Sequence, residues 1–332
     1  MGNQTIPKID RILGGINIHP EYSFHQHRLI LDSLLKESEV HSANLELSTG
    51  QFVSHKDLEA ARKKSLTNLE DAKKYLVAHG LNLSTLSALG NVIEPQSGVN
   101  KGMRKEVKGV NHLFGGIPPL DPNAVPYALK DLVDFMDQEV NLHPITKAIN
   151  AHISLVRVHP YVDGNGRAAR LVQNFYLEQR GYPAAIILSS DRALYISSLN
   201  RALKDRTSGG STVYEKSENE TVFHDFIESK VLASCERLEE ELRNRRVYDI
   251  DLYKVRNKEI AYTLKKKLAS IGKGRGMAGL AVHLVQPNGG KHAKLEVVGD
   301  ISAEELRRTV GEYAQKTHFN YSVIPRRGCC PD

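Results

Sequence analysis

Val158-His-Pro-Tyr-Val-Asp-Gly-Asn-Gly-Arg-Ala-Ala-Arg170 is the stretch around which the rest of the chain is read. Pro160 holds His159 out of helical geometry. Gly164-Asn165-Gly166 forms a turn that opens a new helix and lets bare backbone N–H groups approach a ligand. Arg167 and Arg170, three residues apart, share one face of that helix. Free amides, a favourable dipole and two guanidinium groups make an anion site, and the anion it suits best is a polyphosphate. Asp163, one residue before the turn, is placed to hold Mg²⁺ against the same phosphates. His159 is the one titratable base in the stretch that accepts a hydroxyl proton near neutral pH. Each piece alone is weak, since a His-Pro is ordinarily a loop and an Asp before Gly ordinarily a turn. Their occurrence in one register with both arginines carries the reading.

The stretch resembles the signature of Fic-domain proteins, His-x-Phe-x-Asp/Glu-Gly-Asn-Gly-Arg-x-x-Arg. Tyr161 stands where Phe is usual, and an inward-packing Tyr must find a partner for its hydroxyl. The resemblance implies a mainly α fold: a Fic-type helical domain with a β-hairpin flap. It implies transfer of AMP from ATP to a Ser, Thr or Tyr hydroxyl of a target protein, with release of pyrophosphate. His159 would be the base, Gly164, Asn165, Gly166, Arg167 and Arg170 the phosphate site, and Asp163 the Mg²⁺ ligand. Many relatives carry an inhibitory helix, Ser/Thr-x-x-x-Glu-Gly/Asn, whose Glu pairs with the second signature arginine. Ser42 and Glu46 match it and Leu47 departs. By spacing alone this pair reads as solvent-facing; by resemblance Glu46 is a brake on Arg170. Ser65 and Glu70, a rival pair, are five apart and do not share a face.

The resemblance also places the flap over roughly Lys108 to Pro119, with Val110, Leu113, Gly115, Gly116 and Ile117 against the target segment. Tyr195 lies near where the family places a Tyr by the nucleotide base, with a packing role the equal alternative. Two alternatives stand beside this reading. In one, Glu46 orients water to remove AMP from a modified protein. In the other, the Fic scaffold serves a basic C-terminal binding module.

Along the chain, residues 1–20, with Gly14-Gly15 and Pro20, read as an irregular lead-in. Amphipathic helices are expected from about Glu21, from the Ser54 cap to Gly80, over Ser84 to Gly90, Pro126 to Glu139 and Pro144 to Val158, and from about Asp191. His152 reads as a hydrogen-bonded core histidine. Val222 to Arg245 is a long amphipathic helix, and resemblance to the family ends near residue 240. Beyond it a small α+β module is expected: a helix near Asn257 to Ile271, a hairpin across Pro287-Asn-Gly-Gly290, a helix capped by Ser302 and a last strand at His318 to Ile324. The expected division is 1–53, with the inhibitory helix, 54–247, the Fic domain, and 248–332.

With 332 residues, 40% hydrophobic and 25% charged, the composition is that of a soluble globular protein. No apolar run reaches membrane-spanning length, the N-terminus lacks a signal-peptide core, and Cys235, Cys329 and Cys330 form no metal spacing. A cytoplasmic protein is the expectation, with no membrane partner and a homodimer left open. From Glu240 onward 18 Lys and Arg face 11 Asp and Glu, so the net charge of +6 resides in the tail. Such a tail attracts nucleic acid or an acidic partner, or is simply solvated.

Overall fold

The structure, a computed structural model, describes residues 4–18, 24–47, 54–95, 103–105, 117–138, 141–210, 212–244, 246–255, 258–274, 281–287, 292–299 and 301–325. Contacts divide the chain into two compact units, residues 1–13 with 31–236 and residues 14–30 with 237–332.

The first unit is helical. Its centre is α6 (Pro144–Val158) and α7 (Asn165–Gln179), which pack on each other. Pro144 occupies the first turn of α6, where a missing N–H costs nothing. Around α6 are buried Ile145, Ala148, Ile149, His152, Ile153, Leu155 and Val156, an all-round burial that only a central helix shows. α3 (His55–His79) begins at Ser54, whose hydroxyl accepts from the Asp57 N–H at 3.2 Å, as the cap pattern predicts. α4 (Leu83–Ile93) packs on α3, α7 and α5 (Val125–Asp137). α8 (Arg192–Ser208) packs on α6, and α9 (Glu218–Asn244) carries the expected stripe of Phe223, Ile227, Val231, Cys235 and Leu238, all buried.

Near the N-terminus the outcome differs from the expectation. Residues Thr5–Ile18 form a helix, α1, and α2 runs Phe24–Leu47. Ile9, Leu13 and Ile16 recur at helical spacing and are buried, while Gly14 and Gly15 face open space. Burial of one stripe outweighs the cost of two exposed helical glycines.

In the second unit β1 (Arg246–Tyr253), α10 (Lys258–Gly274), β2 (Ala281–Pro287), β3 (His292–Gly299), α11 (Ala303–Thr317) and β4 (Asn320–Pro325) follow in that order. The sheet is antiparallel throughout, in the order β2-β3-β1-β4, the ferredoxin-like split βαβ arrangement. Tyr248, Ile250, Leu252, Leu295 and Val297 join Leu264, Leu268, Leu306 and Val310 in one core, so both helices cover one face. The alternate positions carry Asp249, Asp251, Lys294 and Glu296, with Lys294 3.1 Å from Asp249. That face is acid-rich, so the positive surplus of the tail lies elsewhere. The expected helices, hairpin and last strand are present; β1 was not anticipated. Among the described residues no helix is long and apolar enough to cross a membrane.

One packing contact ties α4 to the signature. A Cβ on Gly90 would collide with Cδ1 of Tyr161. That ring is fully buried, and its hydroxyl donates to the Leu86 carbonyl. Gly90→Ala, which in an exposed helix would stabilise by about 0.5–1 kcal/mol, should here destabilise by about 1–3 kcal/mol through overpacking. A thermal midpoint that rises in this variant contradicts the assignment.

Candidate active site

α6 ends at His159, which takes a left-handed conformation (φ 49°, ψ 58°) and donates its N–H to the Leu155 carbonyl at 3.0 Å. Pro160 forbids another helical turn, and the chain reverses here. The reversal is stapled by Arg104, only 3% exposed. Its Nε donates to the His159 carbonyl at 2.6 Å, and its Nη2 to the Leu120 and Val158 carbonyls. A cation placed on the last carbonyls of a helix satisfies them and complements its dipole. Burial, and after it the Arg104 charge, draws the His159 imidazole down from the usual 6.5 to about 4. At neutral pH the ring is an unprotonated acceptor.

The loop that follows closes on itself. Asn165 is 4% exposed; its Oδ1 accepts from the Tyr161 N–H at 2.9 Å and its Nδ2 donates to the Tyr161 carbonyl at 2.8 Å. Gly164 caps α7 at φ 84°, and the Cγ2 of Ile93 would sit 2.9 Å from a Cβ there. The first bond of α7 runs from the Ala168 N–H to the Gly164 carbonyl, so the amides of Asn165, Gly166 and Arg167 precede the helix's own acceptors. Asp163 accepts from the Gly164 N–H at 2.6 Å through Oδ1, and its Oδ2 lies 3.4 Å from Arg167; its side chain is 68% exposed. Arg167 is buried, pairs with Glu94 through Nη1, and leaves its Nε without a hydrogen-bond partner.

Arg170 is held from two sides. From α2, Ser42 accepts at Oγ from Nε (2.8 Å) and at its carbonyl from Nη2 (3.2 Å), and Glu46 Oε1 accepts from Nη2 at 2.7 Å. From α8, Tyr195 Oη accepts from Nη1 at 3.2 Å. Burial draws the Glu46 carboxyl up, but the Arg170 charge and hydrogen bond more than reverse this, and it sits below its ordinary value. A Cβ on Gly166 would come within 2.7 Å of Glu46 Oε1, so the carboxylate lies directly against the signature turn. Arg192 Nε donates to the Leu45 carbonyl at 3.2 Å and fixes the end of the same helix.

The polar chain continues inward. Gln173 Nε2 donates to Asn174, which leaves Gln173 Oε1 as acceptor for the His152 Nδ1–H at 2.8 Å. His152 Nε2 must then accept from the Tyr195 hydroxyl, 3.0 Å away. His152 is therefore a satisfied neutral core histidine, with its pKa pushed down by burial to about 3. Tyr195 is 3% exposed, its hydroxyl spent between His152 and Arg170. Of the expected flap residues, Val110, Leu113, Gly115 and Gly116 lie outside the described residues, and Ile117 is a buried bridge residue. Among the described residues no cluster of three or more His, Cys, Asp or Glu offers a metal cage.

Two residues of the site escaped sequence reasoning. Arg104 and Glu94 both lie outside the elements expected from sequence. The helix expected over Ser84 to Gly90 extends as α4 to Ile93 and makes Glu94 its C-cap. The continued apolar spacing of Leu86, Leu89 and Ile93 was the available signal.

Part of the chain is similar to known proteins. Residues 86–177 match the Fic/DOC family. Protein adenylyltransferase fic-1 of Caenorhabditis elegans is 42% identical over 90 residues, which is 26% of this chain and 18% of that protein. Protein adenylyltransferase Fic of Drosophila willistoni is 38% identical over 90 residues, with the same shares. The chain thus spans about 18% of the length of these relatives. Among solved structures, a Fic domain containing signaling protein from Bacteroides thetaiotaomicron superposes with a TM-score of 0.58 at 24% identity, over 72% of this chain and 98% of that one. Fic-1 from C. elegans gives 0.52 at 20% identity, over 72% and 71%. At these identities the likeness is one of fold. Residues 86–177 thus match a Fic domain, and the stretch 159–170 lies within them.

His152 and His159 are neutral in the fold and ordinary in the unfolded chain, which therefore binds more protons below pH 6.5. Stability should fall as pH drops from about 6.5 towards 4, by up to about 1.4 kcal/mol per pH unit for each histidine. Glu46, with its depressed pKa, adds its loss only below about 4.5, the ordinary value. Denaturant unfolding between pH 7 and 4.5 should show this slope, and His152→Gln should reduce it; an unchanged slope contradicts the neutral assignment.

Proposed function

We propose that this chain is a protein adenylyltransferase held in check by Glu46. The observation that carries the reading is a carboxylate lodged on Arg170 at the N-terminal turn of α7, an anion bound where the signature offers a seat for polyphosphate. Arg167, a second buried guanidinium one turn before Arg170 on α7, supports the same reading, since two arginines beside free helix amides suit a polyphosphate. ATP sets its phosphates on the amides of Asn165, Gly166 and Arg167, following Gly164, and on the two arginines. Asp163 suits Mg²⁺: it offers an exposed hard oxygen, and Mg²⁺ characteristically takes one or two carboxylates with the substrate's phosphates and water completing its shell. When bound, the ion would neutralise phosphate charge. The target is a protein presenting a Ser, Thr or Tyr hydroxyl, aligned by main-chain pairing with the flap expected over roughly Lys108 to Pro119.

His159, unprotonated at neutral pH, takes the proton of that hydroxyl. The hydroxyl oxygen forms a bond to the α-phosphorus, the bond from that phosphorus to the bridging oxygen breaks, and pyrophosphate leaves. Arg167, Arg170 and the helix amides stabilise the charge on the phosphates in a preorganised setting, and the rest of the rate comes from alignment. With Glu46 in place, one edge of Arg170 is occupied and the polyphosphate competes with a carboxylate that is covalently part of the chain.

Label transfer from α-³²P-ATP and from γ-³²P-ATP onto protein, with self-modification as readout, tests the reading. Label should come from the α position only, rise at least tenfold in Glu46→Gly, and fall by roughly 10²–10⁴ in Glu46→Gly with His159→Ala, the general-base contribution. Label from the γ position, or none from either in Glu46→Gly, overturns it. The acid limb of the rate profile should lie below pH 6.5, because His159 is already neutral there.

A further inference from the structure

Both signature arginines carry a carboxylate, but the two carboxylates are mounted differently. Glu46 belongs to the last turn of α2, whose helix ends at Leu47. Glu94 caps α4, and α4 is fastened to the signature at several points. Gly90 seats the Tyr161 ring, Leu86 accepts from the Tyr161 hydroxyl, and Ile93 covers Gly164. From the other side Asn68 of α3 donates to the Ile93 carbonyl at 3.0 Å. The backbone that carries Glu94 is thus built into the scaffold, and its carboxylate reaches Arg167 from a fixed point.

What it holds is a buried cation. Arg167 is 4% exposed. Glu94 makes its shortest ion pair, through Nη1; the second, to the exposed Asp163, is 3.4 Å long, and Nε has no partner. A guanidinium is a planar fork, so fixing one of its nitrogens fixes where the others point. With Nη1 anchored on Glu94, the plane of the guanidinium is set.

We infer that Glu94 is a positioning residue for Arg167, a carboxylate that orients the guanidinium for the nucleotide's phosphates, whereas Glu46 in the reading above competes with those phosphates. The inference rests on the nucleotide reading above. Removing Glu94 also deletes a negative charge, which alone would favour a polyphosphate. Orientation prevails because the arginine is buried and the helix end that carries the carboxylate is fixed: a misdirected buried guanidinium loses a charge-assisted bond to phosphate, a larger effect than a partly screened charge already neutralised by its own arginine. The two glutamates therefore make opposite predictions.

The test is ATP binding by titration calorimetry in the Glu46→Gly background. Adding Glu94→Ala should weaken binding roughly tenfold, the worth of one hydrogen bond to a charged group. Glu94→Gln, which keeps an acceptor oxygen, should recover part of that affinity, and being isosteric it keeps the test valid should alanine lower the unfolding midpoint. KM for ATP should rise more than kcat falls. In an Arg167→Ala background Glu94→Ala should add nothing, because its effect passes through the arginine. Unchanged or tighter binding in Glu46→Gly with Glu94→Ala overturns the inference, as does an additive loss in the Arg167→Ala background, which would mark a merely structural role. Absence of ATP binding in Glu46→Gly itself removes the nucleotide reading and this inference with it, whereas normal binding there with no effect of Glu94 removes the inference alone.

Discussion

A guanidinium with 4% of its surface exposed is the constraint on which the first unit depends. An unpaired charge at that depth is untenable, and leaving a buried cation without its partner costs several kcal/mol. Arg170 is satisfied by a hydroxyl, a carbonyl, a carboxylate and a phenol, drawn from α2 and α8. Its needs fix where both helices lie against α7. The same requirement makes the contact exchangeable: whatever displaces Glu46 must itself be an anion, and a nucleotide's phosphates meet that condition. In the proposed reading regulation and substrate binding are one competition for one cation.

Behind Arg170 the polar chain through Tyr195, His152, Gln173 and Asn174 reaches Ser38 of α2, which accepts from Asn174 at 3.2 Å. The helix that carries Glu46 is thus gripped at a second point a turn and more away. A buried network of this kind is worthwhile only when each member is satisfied, and the single tautomer open to His152 satisfies it. Around the signature loop the devices are of another kind: Asn165 bonded twice to Tyr161, Arg104 on the carbonyls that end α6, and glycines at 90, 164 and 166 where a methyl group would collide. The loop is a rigid cradle whose shape is set before any ligand arrives.

Much of this was legible in the sequence because local chemistry decides it. Pro160 and Gly164 dictate the break between α6 and α7, the 3.6-residue stripes dictate their burial, and the hydroxyl of Tyr161 announced a need that Leu86 meets. The approach of Ser42 and Glu46 to Arg170 is different: at a separation of 124 residues or more no spacing rule predicts it, and only the resemblance brought it forward. Glu94 and Arg104 were missed for the same reason, since a lone charged residue beside a loop announces nothing until its partner is in place. The helix over Thr5–Ile18 and the strand Arg246–Tyr253 were missed despite legible periodicity. In one case two glycines masked the stripe of Ile9, Leu13 and Ile16; in the other Tyr248, Ile250 and Leu252 alternate with Asp249 and Asp251, the pattern of a half-buried strand. For the second unit the order β2-β3-β1-β4 is a long-range property, and its charge asymmetry, read from composition, says nothing about which face is basic.

The central claim is that Glu46 and a nucleotide's phosphates compete for Arg170. It is tested most directly by the affinity of the wild-type chain and of Glu46→Gln for ATP, measured side by side by titration calorimetry at neutral pH. Glutamine fills the same space but yields the charge, so the account predicts at least tenfold tighter binding in the variant, about 1.4 kcal/mol. Equal affinities would contradict it and would return the Glu46–Arg170 pair to the status of a structural contact.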